Sequence, residues 1–103
     1  MAVALPDASG VLYVHSAPAA IVPHVEWAVE RALGYRPSWG WGPQPVSPGA
    51  LRAVVEWVGR PGTAGRIASV LREWDRVRFE VTEDATTGPG DRYSWTPTLG
   101  LFH

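Results

Sequence analysis

Residues 51–83 read LRAVVEWV-GRPG-TAGRIASVLREW-DR-VRFEVTE, and the change of period within them decides the fold. In residues 51–58 Leu51, Ala53, Val55 and Trp57 share one face, and Arg52, Val54, Glu56 and Val58 share the other. A period of two with one apolar face is a half-buried strand. Gly59-Arg60-Pro61-Gly62 breaks it, and Thr63 then caps a helix that runs to about Trp74. At 100° per residue, Ile67, Val70, Leu71 and Trp74 gather on one side of this helix. Arg66, Ser69, Arg72 and Glu73 gather on the other. The period of two returns in residues 77–83, with Val77, Phe79 and Val81 inward and Arg78, Glu80 and Thr82 outward. Strand, crossover helix and strand form one half of a split βαβ unit.

The first half follows the same order. Residues 11–15, VLYVH, form a short strand after Gly10. A helix follows over residues 23–33, with Pro23 at its first position and Gly34 past its end. Residues 35–45 hold Pro37, Pro43, Pro45, Gly40, Gly42, Trp39 and Trp41, so a second strand here is short, bulged or at an edge. Residues 85–90 read as a loop, and residues 92–96 and 99–103 as two further strands separated by Pro97. The expected fold is α+β, a ferredoxin-like split βαβ (β-α-β-β-α-β). Its antiparallel sheet carries two helices on one face and a C-terminal β extension. Residues 1–9 are expected to be a flexible N-terminus and residues 10–103 a single domain.

Composition bounds the chemistry. The chain has 103 residues, no Cys, no Lys and nine Arg, with a formal net charge of -1. Absence of Cys excludes thiol nucleophiles, disulfides and thiolate metal sites. Absence of Lys excludes Schiff-base chemistry and a Walker-type phosphate loop. The near-zero charge gives no reason to expect nucleic-acid binding or an anionic membrane surface. The N-terminus lacks the basic and apolar regions of a secretory signal, and no apolar run is long enough to span a bilayer, so the expected location is cytoplasmic. His15, His24 and His103 lack metal-ligand spacing, so neither a metal nor a cofactor is expected.

Two surfaces remain. With Leu12 and Val14 directed at the helices, the open sheet face collects Tyr13, His15, Arg52, Glu56, Arg78 and Glu80. The guanidinium forks match a carboxylate or phosphate, and His15 can serve as a general base oriented by Glu56 or Glu80. The competing reading is a solvated face with cross-strand ion pairs. On the first helix Val22, Val25, Val29, Ala32 and Leu33 form the buried stripe, which sends His24, Trp27 and Arg31 to the far side. Trp beside Arg suits a partner anchor. The competing reading is that another part of the chain covers it.

Weaker motifs follow. Residues 59–66, GRPGTAGR, place two arginines at a helix N-terminus, which can hold an anion, but turn chemistry alone accounts for the glycines. Trp39 and Trp41 can stack on a base or sugar, or pack on Trp57. Glu26 and Glu30 lie one helical turn apart with no third ligand beside them.

The segments YVHSAP (residues 13–18), PHVEW (23–27) and RFEVTE (78–83) resemble, as a set, an actinobacterial family of unknown function. The resemblance covers nearly the whole chain from Val11 onward. It implies a cytoplasmic protein with no assigned active site to carry over. It also implies members that continue past the terminal LFH, so the chain is expected to be either the N-terminal part of such a protein or a short member. The reading favoured is a small non-catalytic binding or protein-interaction module that self-associates or docks on a protein partner. The alternative is a small enzyme or ligand-binding protein using the open sheet face. Single-stranded RNA binding ranks third, because the third strand offers no outward aromatic beside Tyr13.

Overall fold

Alternation of apolar and polar residues builds the sheet around one central strand. The computed structural model describes residues 8–85, 91–96 and 100–102. β1 (Ala8–Pro18) leads through a 3₁₀ turn (Ala19–Ile21) into α1 (Val22–Leu33). β2 (Gly42–Pro43), β3 (Ala50–Gly59), α2 (Thr63–Leu71) and β4 (Arg78–Ala85) follow, then β5 (Asp91–Thr96) and β6 (Gly100–Phe102). All neighbours pair antiparallel in the order β2-β3-β1-β4-β5-β6. The first four strands with α1 and α2 are the ferredoxin-like β-α-β-β-α-β arrangement, and β5 and β6 extend it beyond β4. Residues 1–7 of the expected N-terminus, most of the 85–90 loop, Pro97 and His103 lie outside the described residues.

The buried sheet face consists of Leu12 and Val14 on β1, Ala53, Val55 and Trp57 on β3, and Phe79 and Val81 on β4. Val25 and Val29 of α1 and Ile67 and Leu71 of α2 close the core above them. Each such large aliphatic or aromatic side chain contributes roughly 1.5–3 kcal/mol on burial. Pro23 occupies the first turn of α1, where its missing N–H costs no hydrogen bond. Gly34 ends the helix at φ 85°, donating its N–H to the Glu30 carbonyl at 2.8 Å.

β1 begins at Ala8, three residues ahead of the expected start, because Ala8 and Ser9 pair with both neighbouring strands and Ala8 is buried. Gly10 permits this. A Cβ there would lie 1.8 Å from the Thr82 carbonyl oxygen and 2.8 Å from the Trp57 ring. Beside it, the Val11 N–H donates to the Thr82 hydroxyl at 3.1 Å.

The helix α2 differs from expectation at both ends. It stops at Leu71, and Trp74 reaches the core from the following turn, whose N–H bonds to the Leu71 carbonyl. Thr63 is not the cap. Gly62 holds that position with φ 92°, and the Thr63 hydroxyl donates back to the Arg60 carbonyl at 2.6 Å. The cap comes from another element. Glu83 of β4, buried, accepts the Gly62 N–H on one carboxylate oxygen and the Ala64 N–H on the other, each at 2.9 Å. An anion there satisfies orphan helix donors and complements the helix dipole.

Two stability outcomes follow. Glu83→Ala leaves both N–H groups without an acceptor and is expected to lower unfolding free energy by about 2 kcal/mol. Glu83→Gln, which keeps one acceptor oxygen, is expected to lose less; urea denaturation ranks the two. Gly10→Ala is expected to destabilise by more than about 2 kcal/mol, because the new methyl meets backbone that cannot move without parting β1 from β4.

Candidate functional site

The sequence-derived open face is present, and a bulge shapes its end. Val14 pairs with Ala53 on β3 and with Phe79 on β4. Beyond it the register shifts by one residue against both neighbours, so that Ser16 meets Arg78 and Ala17 meets Leu51. An extra residue therefore sits in the central strand at His15–Ser16. It lets Val14 and Ala17 both face the core while His15 points to solvent. The His15 ring lies parallel to Tyr13, with centroids 6.0 Å apart and 7° between planes.

Two clefts meet at His15. One, of about 840 Å³, lies between the bulge, the β2–β3 connection and the turn before β4; its polar groups include Ser47, Asp75, Arg76 and Arg78. The other, of about 480 Å³, holds Tyr13 and Arg52. His15 and Gln44 line both. The Gln44 amide donates to the His15 carbonyl and accepts from the Val46 N–H, which fastens the loop to the bulge. The structure thus gathers Tyr13, His15, Arg52 and Arg78 at one end of the sheet. Glu56 stands elsewhere, opposite Val11, about 13 Å along the strand from His15 at 3.3 Å per residue. Glu80 is opposite Tyr13. Arg76 and Gln44 were not legible as site residues, because both come from turns whose direction the strand pattern does not set.

The second surface is the outer side of the helix layer. His24, Trp27 and Arg31 are exposed, as the helical wheel expects, and Trp27 is 60% exposed. The Arg31 guanidinium lies 4.8 Å from the Trp27 ring centroid, a cation–π stack. Next to this pair a groove of about 730 Å³ runs between α1 and α2. Ala28, Ala32, Gly62, Gly65 and Val70 give it a mostly small, apolar lining, and Arg66 stands in it with Arg31. His24 does not line the groove.

The remaining motifs are occupied by the chain itself. The turn at residues 59–66 receives the Glu83 carboxylate, so its anion is internal. Trp39 and Trp41 stack on each other at 5.3 Å and 6°. Their indole N–H groups donate to Glu30 at 2.9 Å and to Glu26 at 2.8 Å. Arg36 reaches the same two carboxylates at 3.3 and 4.0 Å. The spacing of Glu26 and Glu30 by one turn thus serves two tryptophans spaced by one strand repeat, and clamps residues 35–42 onto α1. Among the described residues no group of three His, Asp or Glu side chains is placed to hold a metal, and no helix is long and apolar enough to cross a membrane.

With the split βαβ core and the placement of the YVHSAP, PHVEW and RFEVTE segments established, the family relation can be read over the whole chain. Residues 11–103 match the model of a family described as "Protein of unknown function (DUF3145)". The chain belongs to this family. No curated protein and no solved structure matches it. The resemblance carried by those three segments is therefore borne out as to a family of unknown function, though not as to its actinobacterial origin, and the family brings no assigned residues to either surface.

The tryptophan clamp yields a separable expectation. Trp41→Phe keeps a stacking ring and loses the N–H bond to Glu26; it is expected to cost about 1 kcal/mol. Trp41→Ala also removes the stack and is expected to cost about 2 kcal/mol or more. Guanidinium denaturation of the pair measures the difference.

Proposed function

We propose that this domain is a non-catalytic protein-interaction module whose α1–α2 groove receives an acidic segment of a partner protein. The observation that carries the reading is the Trp27–Arg31 stack left exposed at the rim of that groove. Trp and Arg dominate the binding energy of protein interfaces, and an indole left in water retains roughly 2–3 kcal/mol of unrealised burial. Arg31 is already held on the ring, and Arg66 is held by a 2.8 Å hydrogen bond to the Thr63 hydroxyl. Ordering these side chains on binding therefore costs less than ordering free ones.

Charge selects the partner. The groove is lined by two arginines and by no acidic side chain. Neither arginine forms an ion pair among the described residues. A segment that places an apolar side chain against Trp27 and carboxylates toward Arg31 and Arg66 fits both the shape and the charge. A second copy docking groove to groove would set arginine against arginine, which weighs against self-association through this surface.

The test uses isotope-labelled protein titrated with an amphipathic peptide bearing Leu flanked by Glu, and with the same peptide carrying Gln in place of Glu. The acidic peptide is expected to shift the Trp27 indole N–H resonance and to bind at least tenfold more tightly than the amide version. Trp27→Ala and Arg66→Ala should each weaken binding without altering the circular dichroism of the fold. Equal binding of the two peptides, or affinity indifferent to both substitutions, refutes the reading. So does a dimer, seen by sedimentation equilibrium, that Trp27→Ala dissociates.

A further inference from the structure

The β1 bulge lies away from the helix groove, and its chemistry is different. We infer that this end of the sheet binds a small organic oxyanion, a carboxylate or a phosphate monoester, between Arg52, Arg76 and Arg78 around His15. The position is built rather than incidental. The extra residue at His15–Ser16 interrupts pairing on both sides of the central strand, where a regular ladder would satisfy more backbone groups. What the interruption achieves is placement. It sets His15 at the junction of two clefts, with Arg78 paired across from the bulge on β4 and Arg52 on the corresponding stretch of β3.

The charge balance is local and one-sided. The two clefts together are lined by three arginines and one acid, Asp75, in a chain whose formal net charge is -1. None of Arg52, Arg76 and Arg78 forms an ion pair among the described residues. By contrast, Arg36 elsewhere on the surface finds two carboxylates. Guanidinium groups without an ion pair among the described residues, lining adjoining clefts, match a planar carboxylate or a phosphate edge. The non-charged lining suits an organic body: the Tyr13–His15 stack on one side, and Pro18, Pro48 and Ala50 on the other. The larger cleft, about 840 Å³, is of the size that holds a small molecule. Gln44 fixes one wall by bonding the bulge carbonyl, so the site needs little rearrangement to receive a ligand.

The experiment titrates isotope-labelled protein with phenyl phosphate, benzoate and inorganic phosphate, with benzamide as the neutral counterpart. Expected are saturable shifts at His15, Gln44 and the 75–78 turn for at least one anion, and none for benzamide. Response to phenyl phosphate alone identifies a phosphate ester as the ligand class; response to benzoate alone identifies a carboxylate. Arg78→Ala and Arg76→Ala are expected to weaken binding at least tenfold, whereas Arg36→Ala, which removes the same charge elsewhere, changes it less than twofold. Equal losses in all three variants would reduce the effect to general electrostatics and overturn the inference. Absence of saturation with every anion at millimolar concentration overturns it too, as does binding by benzamide. Shifts centred on Trp27 instead of His15 would assign the anion to the helix groove and refute this site while leaving the partner groove standing.

Discussion

The start of α2 is tied to the sheet by one carboxylate. Glu83, on the strand that pairs with β1, accepts the N–H groups of Gly62 and Ala64 beneath the start of α2. A helix N-terminus has donors that its own turn cannot satisfy, and α2 has no side-chain cap of its own. The sheet supplies the missing acceptor. Because α2 is only nine residues long, fixing its first turn fixes most of its orientation. Gly62, Gly65 and Arg66, which form one side of the groove beside Trp27, stand on that first turn. The partner surface proposed for the helix layer thus depends on an acid buried beneath it.

β1 carries the second constraint. As the inner strand it pairs with β3 on one side and β4 on the other, so any irregularity in it is imposed on both. At one end Gly10 gives up its side chain to let β1 approach Thr82 and Trp57. At the other end the His15–Ser16 bulge releases the strand from its ladders. Between them Leu12 and Val14 keep the alternation that holds the core. One strand is therefore tightly approached at its start and loosened at its end, and the loosened end is where arginines without an ion pair among the described residues collect.

How much of this was legible depended on distance along the chain. Local pattern located both helices, β1, β3, β4 and the C-terminal extension, because each signal lies within a dozen residues, and left β2 as a short, bulged or edge strand. The exposure of His24, Trp27 and Arg31 followed from the wheel of α1, as did the outward direction of Tyr13, His15, Arg52 and Arg78 from strand parity. What escaped were partners set by the fold. Glu83 has the inward parity of Phe79 and Val81, a visible oddity, yet its target is about 20 residues away in sequence and only α2 packing brings them together. Thr63, the residue with the stronger local claim to cap α2, gave way to it. Trp39 and Trp41 looked like partners for Trp57 or for a ligand, and their hydrogen bonds instead go to Glu30 and Glu26, one turn apart on α1. The bulge escaped too: the strand was expected to end at His15, and only the burial of both Val14 and Ala17 reveals the extra residue.

The arginines show why composition and placement must be read together. With no Lys in the chain, every positive side chain is a planar fork. Arg36 uses its fork on two carboxylates across α1, in a pair that is 70% exposed on the arginine side and so screened to less than about 1 kcal/mol. Arg31 lays its plane on an indole, and Arg66 bonds a hydroxyl, neither of which cancels charge. Arg52, Arg76 and Arg78 form no ion pair among the described residues. Internal neutralisation among the described residues therefore falls on the segment that needs clamping, and five other arginines line two concave surfaces, with Arg60 and Arg72 outside them. A solvated surface would scatter uncompensated charge; here five of the nine arginines line three clefts whose only acid among the described residues is Asp75. That placement is the common ground of the two proposals, an acidic protein segment at one surface and a small anion at the other.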